Sequence, residues 1–246
     1  MEYKRTPLDL FLEQKFKGID GNTLENNLNG YIQELELQLS EFIKQINFFD
    51  IQIATLNKMI AKGINPTTNG YYVEQKQIFA DGKIIANISC FITIISADIK
   101  SAQKGLYFEK TELAKRNAAK NLCVTLYETS VDDLFDLLGK DFKDIITNRI
   151  DINPIEPELK NIRKRLNEYR NTNKTFLYDV RTNIGAHKDL NSIKQLSTIE
   201  DIDWQHIITI TLEFENIIND LGAFLSKIRN LHMLNLQNSP KAKGLI

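Results

Sequence analysis

Ten apolar residues in the first quarter of the chain recur at alternating steps of four and three positions, and this pattern constrains the fold more than any other feature. They are Leu28, Ile32, Leu35, Leu39, Phe42, Ile46, Phe49, Ile53, Leu56 and Ile60. Such steps place the side chains along one stripe of an α-helix. A helix of about forty residues is ~60 Å long, and bundles or paired antiparallel helices accommodate that length. The stripe therefore predicts a helical bundle, and a dimer seam is an alternative use of the same side chains.

Apolar periodicity also predicts helices over most of the remaining chain. Thr23 is the candidate N-cap of the first helix, and glycines and a proline within residues 62–70 end it. Residues 71–83 contain β-branched side chains and an Asp–Gly pair that suits a hairpin, so helix and hairpin both stay open there. Further helical patterns cover 84–104, 107–138, 156–184 and 201–236.

These patterns together predict one all-α domain, an up-and-down bundle of about five long helices. The domain covers residues 23–236. An N-terminal segment (1–22) precedes it, and a frayed tail (237–246) follows it. No internal repeat or low-complexity tract divides the chain.

The charge balance excludes a general electrostatic attraction to nucleic acid. The chain has 31 basic and 32 acidic side chains, a net charge of −1, so any RNA contact would need a local basic cluster. Cys90 and Cys123 lie in apolar runs without CxxC spacing, which indicates reduced thiols in a cytosolic protein.

The N-terminal residues and the apolar runs predict a cytoplasmic protein with no membrane partner. The first sixteen residues alternate charged and apolar side chains, unlike a signal peptide. No uninterrupted apolar run reaches the ~18 residues that cross a bilayer.

The candidate chemistry lies in the stretch "DVRTNIGAHKDL", residues 179–190. Positions 181 and 187 lie ~240° apart on a continuous helix, so Arg181 and His187 would face different directions. Gly185 is the natural residue for a left-handed helix end. If the helix ends there, the chain turns back and the imidazole can approach the guanidinium.

An arginine beside a histidine suits cleavage of an RNA phosphodiester. Histidine exchanges protons near neutral pH, and the guanidinium fork fits phosphate oxygens. This chemistry needs no metal, and the sequence has no HExxH or Cys/His ligand cluster. We therefore expect no metal and no cofactor. The alternative is that Arg181 is solvated or caps the helix and His187 packs in a loop.

Residues 181–187, near the end of a helix in an all-helical chain, resemble the signature motif of HEPN-domain proteins. Arg181 and His187 enclose five residues, Thr182 holds the polar position of the motif, and Asn183 follows it. Around the motif, the helical order of residues 107–236 is similar to that of abortive-infection members of the group. The resemblance implies a metal-independent RNase whose cleft forms between two motifs in a homodimer. It also implies a role in phage defence, a toxin–antitoxin system or RNA-guided immunity.

Glu128 is a candidate supporting residue in the stretch "LYETSVDDL". Together with Tyr127, Asp132 and Asp133 it places acidic groups one helical turn apart. A carboxylate there could orient His187 if the two helices adjoin. The alternative is a solvated acidic face.

A basic cluster precedes the motif on the same helix and could direct an RNA backbone towards it. Its members are Arg163, Lys164, Arg165 and Arg170. The alternative is that they form salt bridges with Glu156, Glu158 or Glu168.

Two classes of function stay open from the sequence. The first is a HEPN-type endoribonuclease acting as a homodimer, with His187 as general acid and base and Arg181 on the phosphate. The second is a non-catalytic helical interaction or regulatory module, for example an antitoxin-like partner. His206, His232 and Trp204 are expected to be structural.

Overall fold

The computed structural model describes residues 21–62, 66–182 and 203–238, and all secondary structure in these ranges is helical. The predicted all-α class is therefore confirmed for them. The elements are α1 (Gly21–Ala61), α2 (Pro66–Phe108), α3 (Glu112–Tyr127), a π-helical segment (Glu128–Asp133), α4 (Leu134–Leu137), α5 (Lys140–Asn148), α6 (Glu156–Val180) and α7 (Trp204–Asn238). The predicted N-terminal segment, up to residue 20, and the predicted tail, from residue 239, lie outside the described residues.

Residues 71–83 belong to the continuous helix α2, so the hairpin alternative is wrong. The Asp–Gly pair lies inside this helix. Asp81 is buried, accepts a hydrogen bond from Gln77 at 2.9 Å and pairs with Arg149, the residue that follows α5. Tertiary contacts thus override the local preference for a turn, as is common for short β-prone segments.

Helix boundaries differ from the predictions at three places. Helix α1 begins at Gly21, so Thr23 lies inside the helix and is not its N-cap. The chain breaks at residues 109–111, where the hydroxyl oxygen of Thr111 accepts a hydrogen bond from the backbone of Ala114 and caps α3. Helix α6 ends at Val180, and residues 181–182 form a π turn. The predicted helix end at Gly185 lies outside the described residues.

The described chain separates into two compact units, and each long helix (α1, α2, α6 and α7) contributes residues to both. Unit A contains the described residues 21–36, 94–135, 163–182 and 203–218. Unit B contains the described residues 37–62, 66–93, 136–162 and 219–238.

The core of unit A combines close aromatic packing with a polar tie. The rings of Tyr169 and Phe214 lie 5.0 Å apart, and both are fully buried. The carboxylate of Glu215 contacts Lys100 Nζ at 2.6 Å and accepts a hydrogen bond from Gln103 at 3.0 Å. Burial raises the pKa of the Cys123 thiol to about 12, so this cysteine is a packing residue at neutral pH.

The core of unit B depends on a close approach at Gly82. A Cβ atom there would lie 2.8 Å from both Phe49 Cζ and His232 Cε1. His232 Nε2 donates a hydrogen bond to the carbonyl oxygen of Ile78 at 2.9 Å. The Phe49 ring also packs against Phe79, with centroids 6.3 Å apart. The missing side chain at residue 82 therefore allows two rings to contact the backbone of α2.

The apolar stripe of α1 faces inward. All ten of its members are buried or half-buried, whereas Leu37, Ile43, Phe48 and Ile51 on other faces are exposed. The stripe thus contributes to the core of the chain, while its use as a heptad seam stays a prediction.

Helix α2 also meets the length and composition of a membrane span. Its residues 70–108 include an 18-residue window of mean hydropathy 1.7, half of it buried within the chain. The core helix of a soluble protein passes the same test. Asp81 and Lys100 of α2 pair with Arg149 and Glu215, as expected of a helix packed against other helices. The cytoplasmic location and the lack of a membrane partner stay predictions.

Replacing Gly82 with alanine should lower the free energy of unfolding by up to about 2 kcal/mol. The clash with Phe49 and His232 costs about 1–3 kcal/mol and outweighs the ~1 kcal/mol gain in helix propensity. Gly30→Ala is the matched control, because a Cβ at that helical position meets nothing within 4 Å; it should stabilise by ~0.5–1 kcal/mol. Urea unfolding measures both variants, and a Gly82→Ala protein as stable as Gly30→Ala would contradict the close approach.

Stability should fall in mild acid because of His232. Burial lowers the pKa of His232 below its usual 6.5, against the opposing effects of the Ile78 hydrogen bond and Asp81. Below about pH 6.5 the unfolded chain therefore binds a proton that the folded chain does not, so the free energy of unfolding decreases as the pH falls. Urea unfolding at pH 7.5 and 5.5 should show a smaller decrease for His232→Gln than for the wild type. Equal decreases in the two proteins would refute this assignment.

Candidate functional site

The C-terminal end of α6 brings Arg181 against the junction of α3 and the π-helical segment in unit A. Arg181 Nε lies 3.5 Å from Glu128 Oε1. The guanidinium carbon lies 5.1 Å from the centroid of the Tyr127 ring. A carboxylate and an aromatic ring both attract a guanidinium. Two independent contacts therefore hold the group in place, although 29% of the Arg181 side chain is exposed.

The contact between Arg181 and Glu128 is an ion pair without a hydrogen bond. The Nε atom is buried and has no hydrogen-bond partner, even though the carboxylate oxygen is only 3.5 Å away. A separation of 3.5 Å without a hydrogen bond means that the Nε–H bond does not point at the carboxylate oxygen. The interaction between Nε and this carboxylate oxygen is thus electrostatic.

Both partners of this ion pair stand in π-helical backbone. Glu128 is the first residue of the segment Glu128–Asp133, and Arg181 begins the π turn at 181–182. In the first segment the N–H of Leu134 donates to the carbonyl oxygen of Thr129, five residues back. Such turns are rare and are found frequently at functional sites. The backbone here departs from regular helix at the two positions that carry the charges.

A buried hydroxyl without a partner lies in the same π-helical segment. Ser130 is fully buried, and its oxygen makes no hydrogen bond with any described residue. An unsatisfied buried polar group costs about 1–3 kcal/mol. Native proteins retain few such groups, so the segment carries a cost in stability next to the Arg181–Glu128 pair.

An exposed aromatic ring completes the described part of the site. Tyr178 lies three residues before Arg181 on α6, with 46% of its surface exposed. Its ring centroid is 6.0 Å from that of Tyr127. Tyr178 was not predicted as a site residue. Its spacing of three residues from Arg181 is the feature of the sequence that could have indicated it.

The predicted basic cluster is only partly solvent-exposed. Lys164 is exposed and pairs loosely with Glu168 at 3.8 Å, while the three arginines are half-buried. Arg165 and Arg170 make further contacts within the chain. Glu156 and Glu158, the other expected partners, pair with Lys160 and Lys227. A role of this cluster in RNA binding stays a prediction.

Several predicted site residues fall beyond what the structure describes. Asn183, Gly185 and His187 lie outside the described residues, as do the side chains of Asp132 and Asp133. Thr182 is half-buried in the π turn. The structure therefore brings Arg181 together with Glu128, and the approach of the imidazole to the guanidinium stays a prediction.

The two described histidines have packing contacts. His206 packs edge-on against Phe176, with ring centroids 4.7 Å apart, and its backbone N–H donates to Asp203 at the start of α7. His232 belongs to the core of unit B. Within the described ranges, no three His, Cys, Asp or Glu side chains are grouped to hold a metal ion.

No protein family model, curated protein or solved structure matches this chain. The resemblance to HEPN proteins therefore depends on residues 181–187 and on the all-helical class.

Replacing Ser130 with alanine should raise the free energy of unfolding by about 1 kcal/mol, because the change removes an unsatisfied hydroxyl. Ser89→Ala is the matched control: this serine is also buried in a helix, but its hydroxyl donates to the carbonyl oxygen of Ile85 at 2.9 Å. Its gain should be smaller. Chemical denaturation of both variants compares them, and an equal or larger gain at residue 89 would show that Ser130 has a partner in solution.

Proposed function

We propose that this chain is a metal-independent endoribonuclease of the HEPN type, built as a helical bundle and active as a homodimer. One observation supports the proposal above all others. Arg181, the first residue of the motif, is held by Glu128 and Tyr127, and part of its side chain is exposed.

Arg181 is suited to bind a phosphodiester. The ion pair with Glu128 involves Nε, so Nη1 and Nη2 can present two N–H groups to phosphate oxygens. Glu128 fixes the orientation of the fork while offsetting part of its charge. Positioned in this way, the guanidinium stabilises the negative charge that develops on the phosphate in the transition state.

Tyr178 is suited to bind a base. An exposed tyrosine ring can stack on an unpaired nucleobase, and such stacking is how proteins hold single-stranded RNA. Tyr178 precedes Arg181 by one helical turn, which places the ring and the guanidinium on the same side of α6. The substrate class that fits these groups is single-stranded RNA.

His187 carries the proton transfers in this proposal. One imidazole removes the proton of a 2′-hydroxyl, the 2′-oxygen attacks phosphorus, and the bond to the 5′-oxygen breaks. The His187 of a second copy protonates the leaving 5′-oxygen, so the products are a 2′,3′-cyclic phosphate and a 5′-hydroxyl. The dimer supplies the base and the acid from the same position in two chains.

The resemblance places such an activity in phage defence or in a toxin–antitoxin pair. An RNase of this kind is toxic to its own cell, so a partner that restrains it is part of the proposal. RNA, a second copy of the chain and an antitoxin or defence protein are its expected partners.

A non-catalytic interaction module is the second candidate function. Its support is an exposed apolar face on α1, formed by Leu37, Phe48 and Ile51, which are 69%, 50% and 63% exposed. Exposed apolar side chains on one helical face are typical of protein contact surfaces.

Purified protein incubated with single-stranded RNA in EDTA should produce fragments with cyclic-phosphate ends. His187→Ala should lower the cleavage rate by roughly 10²–10⁴, and Arg181→Gln by roughly 10²–10³. Tyr178→Leu should raise KM by about tenfold, because it removes one stacked base.

Arg116→Gln and His206→Gln are the matched controls, an arginine and a histidine of unit A outside the site, and both should cleave like the wild type. Cleavage that persists in His187→Ala would identify a contaminant or another site. Inactivity of the wild type towards every RNA tested would favour the interaction module.

A further inference from the structure

Unit B contains an apolar cavity of about 900 Å³ between α1, α2 and α7. Its walls include Phe48, Phe49, Leu56, Phe79 and Met233. Cavities of roughly 300–1,000 Å³ with mainly apolar walls and a few polar groups are typical of sites for small molecules. We propose that this cavity binds a long-chain fatty acid anion, with the chain among these side chains and the carboxylate at Arg229.

Arg229 provides the charge that such an anion would meet. It lines the cavity, and its guanidinium lies 5.5 Å from the centroid of the Phe42 ring. Its recorded polar contact is a long one, 3.5 Å from Nη2 to Ser226 Oγ. Among the described residues no carboxylate pairs with it, whereas Arg116, Arg149 and Arg181 each have one. A half-buried cation beside apolar walls gains stability from a bound anion.

The remaining polar groups of the cavity provide no negative charge for a cationic ligand. Its described lining contains no aspartate or glutamate. His232 is buried, and burial lowers its pKa, so its ring is neutral at physiological pH. In the neutral ring Nε2 carries the proton and donates a hydrogen bond to the carbonyl oxygen of Ile78, so the ring adds no positive charge to the interior. Positive charge in the described lining is thus confined to Arg229.

The position of Arg229 gives the ligand a direction. Arg229 and Gln45 also line a second cavity of about 690 Å³, whose walls include Gln38, Ser40 and the ion pair of Lys44 with Glu41. The apolar cavity therefore meets a polar one at Arg229. An amphiphile with its carboxylate at this junction would place its chain in the apolar side and its charged group at the polar side.

The proposal predicts a dependence on chain length and on headgroup. Each pair of added methylenes should raise affinity by roughly tenfold while the cavity still has room. Isothermal titration calorimetry on the full chain should therefore rank palmitate above myristate and myristate above laurate, at a stoichiometry of one. Hexadecanol should bind at least tenfold more weakly than palmitate, and hexadecyltrimethylammonium more weakly still.

Two variants separate the site from adsorption to the protein surface. Arg229→Gln should weaken palmitate binding by about tenfold with little effect on hexadecanol, and Arg229→Lys should retain most of the affinity. Thr55→Trp adds bulk at an exposed position of the lining and should abolish binding of both. Circular dichroism confirms that each variant is folded, and Arg116→Gln in unit A is the control that should bind like the wild type.

The outcomes that would overturn the proposal are equally specific. They are no binding by the wild type, binding that Thr55→Trp leaves unchanged, and equal affinity for palmitate and hexadecanol. None of these results bears on RNA cleavage, since Thr55 and Arg229 belong to unit B and the proposed RNase site belongs to unit A.

Discussion

Both units depend on one constraint, which is that the polar side chains buried on α2 must have partners. This helix is apolar enough for a membrane span, yet its buried face carries Asp81 and Gln103. Each of them has a partner outside α2: Arg149, which follows α5, in unit B and Glu215 of α7 in unit A. A buried polar group without a partner costs about 1–3 kcal/mol, as much as the burial of roughly one to four methylene groups contributes at ~0.8 kcal/mol each. The apolar face of α2 allows many packing arrangements, and these polar ties select among them.

How much the sequence predicts depends on how local each feature is. The stripe of α1 repeats over nine turns, so its inward side and the helical class could be predicted from spacing alone. The helical structure around Asp81 could not be predicted in this way, because it depends on a contact with Arg149, which is distant in sequence. The π-helical turns were also missed, since one extra residue in a helix is hard to distinguish from the gaps that apolar patterns ordinarily contain. Arg181 was found from its motif, but its contacts with Tyr127 and Glu128 arise from the packing of α6 against α3.

The two arginines on which the proposals depend have different surroundings. Arg181 and Arg229 each lie beside an aromatic ring, at 5.1 and 5.5 Å. Arg181 also has a carboxylate nearby, which fixes its orientation and suits brief contact with a phosphate. Arg229 has no such neighbour among the described residues and adjoins an apolar cavity, so it suits a ligand that stays. The difference lies in the neighbours of each guanidinium.

The wide turn at Glu128–Asp133 also has a consequence for how this site could arise. A turn closed by a five-residue step holds one residue more than an α-helical turn. It is therefore what a helix forms when one codon is added to its gene and the packing on either side is kept. Leu126 before the turn and Leu134 after it are both fully buried, so the extra residue leaves the core in register. Taken up as regular α-helix instead, the extra residue would shift the side chains on one side of it by about 100° around the helix axis. A single insertion could in this way bring a carboxylate to an arginine that was already in place.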